Sequence, residues 1–366
     1  MDDATLVVHA GHSSPAQGEP FRAGPTFAAP YRHLGQPDGS ANAYARMGNP
    51  TWTAYESALA ELEGGPCLVF ASGMAAVAAV LGTTLRPGDL AVLPADGYYT
   101  ARSLAGGYLT EMGVRIVTTP TAGSEHRELL DGARLLWLET PSNPGLDVCD
   151  IRPLARAAHD AGALVAVDNS TATMLGQRPL GLGADFCVSS DTKAVTGHSD
   201  LVLGHVAVSD PGLLAALATW RAQVGAIAGP METWLAHRSL ATLDVRLRRQ
   251  CETALQIAIA LRDHRCVASV RYPGLPGDPA HELASRQMRF FGPLVCFTLA
   301  DEDTAERWLR ALRLVTPATS FGGAHTTAER RARWEDDDVA GGFIRLSAGL
   351  ENAGDVIDDI TSAFEA

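Results

Sequence analysis

The chain predicts an α/β fold: a mainly parallel sheet preceded by an extended arm and followed by a smaller α+β domain. Three observations carry that reading. Between about residues 49 and 205, short apolar runs such as CLVF, LAVLP, VRIVTT, RLLWLE and ALVAVD alternate with helix-like segments, the mark of repeated βαβ units. Beyond residue 205 the alternation stops. A helical region from about Met231 to Asp263 leads into short strands (CVASVRY, GPLVCFTLA, GFIRLSAG) interleaved with helices (TAERWLRALRLV, DVIDDITSAFEA). Residues 1–48, rich in Gly, Pro, His and Ser, have no sustained period and read as an arm that needs a surface to lie on. The expected division is therefore 1–48, 49–235 and 236–366.

Size supports it, because 366 residues exceed what one core usually holds. With 46% hydrophobic and 19% charged residues and a net charge of −13, the chain is unsuited to a nucleic acid or an anionic membrane as partner. MDDATLVVHAGH has acids where a signal peptide has bases, and no apolar run approaches the ~18 residues of a membrane span, so a cytoplasmic protein is expected. The six cysteines lack any C-x-x-C spacing and read as free thiols. His9 and His12 have no third ligand nearby, so no metal site is expected.

Taken in order, NPTWTAYESALAELEGG places Trp52, Tyr55, Leu59 and Leu62 at helical spacing, with Pro50 at the start, a Thr53/Glu56 capping-box pattern and Gly64-Gly65 at the end. CLVFASGMAAVAAVLGTTL reads as strand, tight turn and helix. Its turn, Ser72-Gly73-Met74, offers helix-start N–H groups to a phosphate, although S-G before a helix is a common turn. In IRPLARAAHDAG, Asp150 is a candidate N-cap and Gly162 sits where a left-handed C′ glycine belongs. ALVAVDN then carries Asp168 to the sheet's carboxyl edge, and the next run delivers Ser190, Thr192 and Lys193 there. An isolated Asp usually caps a turn and an isolated Lys is usually solvated. At adjacent strand ends they form a candidate pyridoxal phosphate (PLP) site, the lysine for a Schiff base and the carboxylate for the pyridine nitrogen. Tyr98 and Tyr99 read either as core residues or as loop tyrosines able to stack on such a ring, and Arg345, in an apolar strand, calls for a carboxylate, structural or substrate. RRARWEDDD at 330–338 reads as a solvated loop.

TLVVHAGH, AYARMGNPT with ALAELEGG, FASGMAAV, ETPSNPG, VAVDNSTAT, SSDTKAVTGHSDLVLG, TSFGG and RLSAGLEN, in that order and spacing, resemble the Cys/Met metabolism PLP-dependent enzymes. That family includes cystathionine γ-synthase, cystathionine β- and γ-lyases and methionine γ-lyase. The resemblance implies PLP fold type I, with helices on both faces of the sheet, and active dimers paired into homotetramers. It implies a trans-sulfuration enzyme acting on a small amino acid, cystathionine γ-lyase foremost, with γ-replacement or β-lyase activity as alternatives. An inactive PLP-binding partner protein is the non-enzyme alternative. By position, Lys193 resembles the Schiff-base lysine and Asp168 the partner of the pyridine nitrogen. Ser72, Gly73, Met74, Ser190 and Thr192 resemble the phosphate cradle, and Tyr44 and Arg46 the segment reaching the neighbouring subunit's phosphate. Tyr98 resembles the stacking tyrosine, with Tyr99 as the alternative. Asn143, Ser320 and Arg345 resemble the groups that position the cofactor hydroxyl and the substrate carboxylate. His325 replaces a Glu common in the family, Thr100 stands in the region of the methionine γ-lyase cysteine, and β- and γ-elimination both stay open.

Overall fold

The computed structural model describes residues 1–12, 15–35, 42–334 and 337–365. Its larger sheet contains β1 (Cys67–Phe70), β2 (Leu90–Pro94), β3 (Arg115–Thr119), β4 (Ala133–Glu139), β5 (Leu164–Asp168), β6 (Phe186–Ser189) and β7 (Gly204–Val208), in the order β1-β7-β6-β5-β4-β2-β3. Only β7 runs against its neighbours. The smaller sheet, β10-β11-β12-β9-β8, is formed by β8 (Ser269–Arg271), β9 (Leu294–Thr298), β10 (Thr316–Pro317), β11 (Thr327–Arg330) and β12 (Phe343–Ser347). The helices are α1 (Asp3–His9), α2 (Pro50–Glu63), α3 (Gly73–Thr84), α4 (Tyr99–Leu104), α5 (Ile151–Asp160), α6 (Thr173–Gly176), α7 (Pro211–Val224), α8 (Pro230–Leu240), α9 (Leu243–Arg262), α10 (His281–Gln287), α11 (Glu302–Ala311) and α12 (Ala353–Ser362).

Strand side chains alternate between two apolar layers, so both faces of the large sheet are covered. Phe70, Leu93, Trp137 and Val188 pack against α3 and α7. On the other face, Val92, Leu138 and Val167 meet α5, and Val69 and Cys187 meet Tyr55, Leu59 and Leu62 of α2. Each such side chain contributes roughly 1.5–3 kcal/mol on burial. The smaller sheet has its own core with α9, α11 and α12. Helix α9 joins the two, burying Leu243 and Leu247 in one core and Ile257 and Leu261 in the other.

Several local expectations need correction. The arm is not wholly extended: α1 forms where Asp2 accepts from the Ala4 N–H and Val7 and Ala10 pack toward α2. Seven residues are too few to show a period, and tertiary contact stabilises the helix. Asn49 and Pro50, not a Thr53/Glu56 box, begin α2; Asn49 Oδ1 accepts from the Thr51 N–H at 2.8 Å. Glu56 therefore falls within the helix, accepting from the Val69 N–H and pairing with Arg221. The Met231–Asp263 stretch is two helices separated at Ala241-Thr242, and α7 precedes them. Asp150 precedes α5 without a side-chain capping bond, whereas Gly162 is left-handed (φ 80°) as expected. RRARWEDDD is no solvated loop, because Arg330, Arg331 and Asp337 are buried in ion pairs; Glu335 and Asp336 lie outside the described residues. All six cysteines are free, four of them buried. Among the described residues no helix is long and apolar enough to cross a membrane.

Candidate active site

A cavity of about 480 Å³ opens at the carboxyl ends of β4, β5 and β6, with Thr319, Ser320, Phe321 and Arg345 contributed by the smaller domain. Parallel pairing places Glu139, the last residue of β4, beside Asp168, the last of β5. Asp168 accepts from the Ser170 N–H at 3.0 Å. Burial raises its pKa, against the opposing pull of Ser170 and Lys193. Burial and the Asp168 charge push the Glu139 carboxyl well above the ordinary range. Glu139 accepts from the main-chain N–H groups of Tyr98, at 2.6 Å, and Asn143, at 2.9 Å, and so fixes two loops at the cavity wall.

Lys193 lies in the turn after β6, its N–H donating to the Ser190 carbonyl at 3.1 Å. Its Nζ donates to Ser320 Oγ at 3.0 Å and sits 5.2 Å from the centre of the Phe321 ring. Burial, then the neighbouring Arg345 charge, lowers its pKa to about 8. Ser320 is held in the left-handed region (φ 75°), a conformation that costs of order 1 kcal/mol or more outside glycine and persists because its surroundings over-determine it. The Arg345 guanidinium donates to the Ser320 carbonyl at 3.1 Å and to Asn143 Oδ1 at 2.7 Å.

At the opposite end of the cavity Ser72 caps α3, accepting from the Ala75 N–H at 3.0 Å. The N–H groups of Gly73 and Met74 lie in the first turn, where no intrahelical acceptor exists, and are available to an anion. A side chain at Gly73 is excluded, since its Cβ would come within 2.7 Å of Ser190 Cβ. Ser190 lines the cavity. The Thr192 hydroxyl is already engaged, donating to the Leu203 carbonyl at 3.1 Å and accepting from the Leu203 N–H at 3.0 Å. Both Tyr98 and Tyr99 line the cavity, and Tyr99 stacks at 13° on Trp334.

Three anticipated residues stand apart from this group. Tyr44 and Arg46 do not line the cavity; Tyr44 is exposed and Arg46 donates to the Ala222 carbonyl. His325 is exposed and likewise outside the lining. His12 stacks on His237 at 4.7 Å. Sequence reading missed Glu139, Ser170, Arg331 and Trp334 in the lining. Glu139 had a usable signal, an acid at a strand end; Arg331 and Trp334 had none, their segment resembling surface.

The lysine amine, the buried carboxylate and the anion-receptive helix start surround one cavity. They match the three reactive ends of PLP: an aldehyde, a pyridine nitrogen that binds a proton, and a phosphate. The residues present fit that group, and Asp168, whose pKa burial raises, would gain a cationic partner in a protonated ring.

Comparison with known proteins agrees. The family model for Cys/Met metabolism PLP-dependent enzymes matches residues 4–365. A Streptomyces coelicolor protein provisionally named cystathionine gamma-lyase is 55% identical over 99% of this chain and 93% of its own. The cystathionine gamma-synthase of Mycobacterium tuberculosis is 37% identical, over 99% of this chain and 96% of its own. A solved cystathionine gamma-lyase from Micromonospora echinospora superposes with a TM-score of 0.94 at 34% identity, covering all of both chains.

Proposed function

This chain belongs to the Cys/Met metabolism PLP-dependent enzyme family, and on that premise we propose that it is a cystathionine γ-lyase, converting cystathionine and water to cysteine, ammonia and 2-oxobutanoate. The dependence on PLP and the carbon–sulfur chemistry come with the family. The 55% identity to the Streptomyces relative is the observation that favours γ-elimination. When bound, PLP supplies the electron sink that stabilises negative charge at the substrate Cα.

The chain's own groups then have the following roles. Asp168 holds the pyridine nitrogen protonated. Ser72, Gly73, Met74, Ser190 and Thr192 shape the phosphate cradle, the first three through the start of α3. Tyr98, whose main chain is fixed by Glu139, would be the residue to stack on the ring, while Tyr99 is occupied by Trp334. Arg345, supported by Asn143 and Ser320, receives the substrate α-carboxylate. The Lys193 amine would hold the cofactor's aldehyde carbon and, when free, would accept the Cα proton and pass it on as the Cγ–S bond breaks. A pKa of about 8 suits both tasks. Tyr98 is the second proton carrier in the cavity.

The protein is also proposed to be a cytoplasmic homotetramer of two active dimers. The free cysteines support the compartment. Tyr44 and Arg46 do not line their own cavity and are assigned to the neighbour's phosphate. His325 is assigned no part in the single-chain site.

Purified holoenzyme given cystathionine should release 2-oxobutanoate and cysteine in equal amounts. Pyruvate with homocysteine would instead establish β-elimination. The second reading, γ-replacement, follows from the similarity to the Mycobacterium tuberculosis synthase; it would prevail if O-acetylhomoserine plus cysteine yields cystathionine faster than cystathionine is cleaved.

A further inference from the structure

Arg345 lies on β12 with its side chain only 3% exposed. A guanidinium so placed needs a counter-charge. That charge is Glu329, directly opposite in the β11–β12 register, whose Oε2 accepts from Arg345 Nη2 at 2.9 Å. Glu329 is itself fixed on every side. Its Oε2 also accepts from Arg331 Nη1 at 2.8 Å, and its Oε1 accepts from Trp334 Nε1 at 2.9 Å and Arg333 Nη2 at 2.5 Å. Arg331 in turn donates through Nε and Nη2 to Asp337 Oδ2, at 2.8 and 2.5 Å. The result is a row of alternating charges, Arg345–Glu329–Arg331–Asp337, running from the cavity into the small domain.

We propose that Glu329 is a positioning residue for substrate recognition: it holds Arg345 in the orientation that receives the α-carboxylate, and Arg331 with Asp337 holds Glu329. The assignment rests on the reading of Arg345 given above.

An arginine has five N–H donors. Asn143 takes one Nη1 hydrogen of Arg345, and the Ser320 carbonyl and Glu329 take both of Nη2, so the Nε–H and the second Nη1–H are the donors left for a substrate carboxylate. Without Glu329 the guanidinium loses the one partner that is both charged and rigid. Glu329 is too fully bonded to swing away as a gate, since both its oxygens already accept two N–H groups. A glutamine cannot replace it: its single oxygen serves one pair of donors, and its NH₂ then faces the other pair.

The test is equilibrium binding of alanine and of alaninamide to the holoenzyme, read by the change in cofactor absorption. The two ligands differ in the α-carboxylate. Wild type should prefer alanine by about 100-fold, and Glu329→Gln should reduce that preference at least tenfold, with Glu329→Asp intermediate. Asp337→Asn, farther along the row, should reduce it less, and adding it to Glu329→Gln should cost nothing more. An unchanged preference in Glu329→Gln, or equal weakening of both ligands, would overturn the proposal by leaving Glu329 a purely structural role. Additive losses in the double variant would overturn the part given to Asp337. A wild-type enzyme with no preference for alanine would instead overturn the reading of Arg345 itself, a separate and recognisable failure.

Discussion

Lys193 works as an amine only when it is deprotonated, and the groups around it decide when that happens. Burial and then Arg345 lower its pKa to about 8, Asp168 and Glu329 act in the opposite sense, and Arg331 lowers it again. Rates of PLP incorporation into the cofactor-free protein should therefore rise with pH through about 8, where an ordinary lysine at 10.5 would still be protonated. A stopped-flow absorption series from pH 6.5 to 9.5 measures this. Lys193→Ala should lose the covalently bound yellow form altogether, and an unchanged spectrum would remove Lys193 from its assigned role. Asp168 and Glu139 show why neighbouring acids differ in use: one faces the cavity with a single N–H donor from Ser170, the other spends both oxygens on the main chain of two loops.

The start of α3 would couple element geometry to the proposed phosphate binding. Its first turn presents N–H groups and the positive end of the helix dipole to the cavity, and Ser72 sets where the turn begins. Ser72→Ala removes the cap bond and should lower stability by about 1 kcal/mol, read from urea unfolding. Gly73→Ala should lower stability as well and also weaken PLP at least tenfold, because the new methyl overlaps Ser190 Cβ and must displace that residue from the cavity wall. Equal PLP affinity in Gly73→Ala and wild type, measured by fluorescence titration, would dissociate this turn from the phosphate. The β11–β12 pair makes the same point for strands: register alone sets Glu329 opposite Arg345.

Across the whole molecule, a buried cluster ties α2 to the strands beneath the site. His205 of β7 lies between Asp191, at 2.6 Å, and Glu63, at 3.1 Å, while the Tyr55 hydroxyl donates to Asp191 at 2.9 Å. Burial opposes protonation of the ring, but the two carboxylates prevail and raise its pKa from 6.5 to about 10. A raised folded-state pKa means the folded form binds the proton more tightly. The resulting stability is fully present below about pH 6.5 and is lost as pH rises through about 10. Thermal unfolding midpoints should fall across that window, and His205→Gln should flatten the fall. At the level of assembly, Lys193→Ala and Arg46→Ala subunits should each be impaired alone, yet mixing them should restore activity. In a hybrid dimer with exchanged arms, one site carries both defects and the other carries none. No recovery would mean that Arg46 serves its own subunit.

Short-range chemistry made much of this legible in advance. Period-two and period-3.6 patterns, Gly64, Gly162 and the strand ends at Asp168 and Lys193 depend on neighbours a few residues away, so the α/β order and the core of the candidate site were legible in the sequence itself. Helix α1 rests on packing that a local pattern does not contain, whereas the cap of α2 is a local Asn49–Thr51 bond that the capping-box reading passed over. Least legible was the environment of Arg345. Its partners Asn143, Ser320 and Glu329 stand 202, 25 and 16 residues away in the chain. A run of arginines and acids reads as surface until tertiary structure buries it. The sequence by itself determined which residues are the candidates for the chemistry, because their types and strand-end positions are local properties. Only the fold decided which charges face one another, because a buried ion pair exists only once two distant strands have chosen their register.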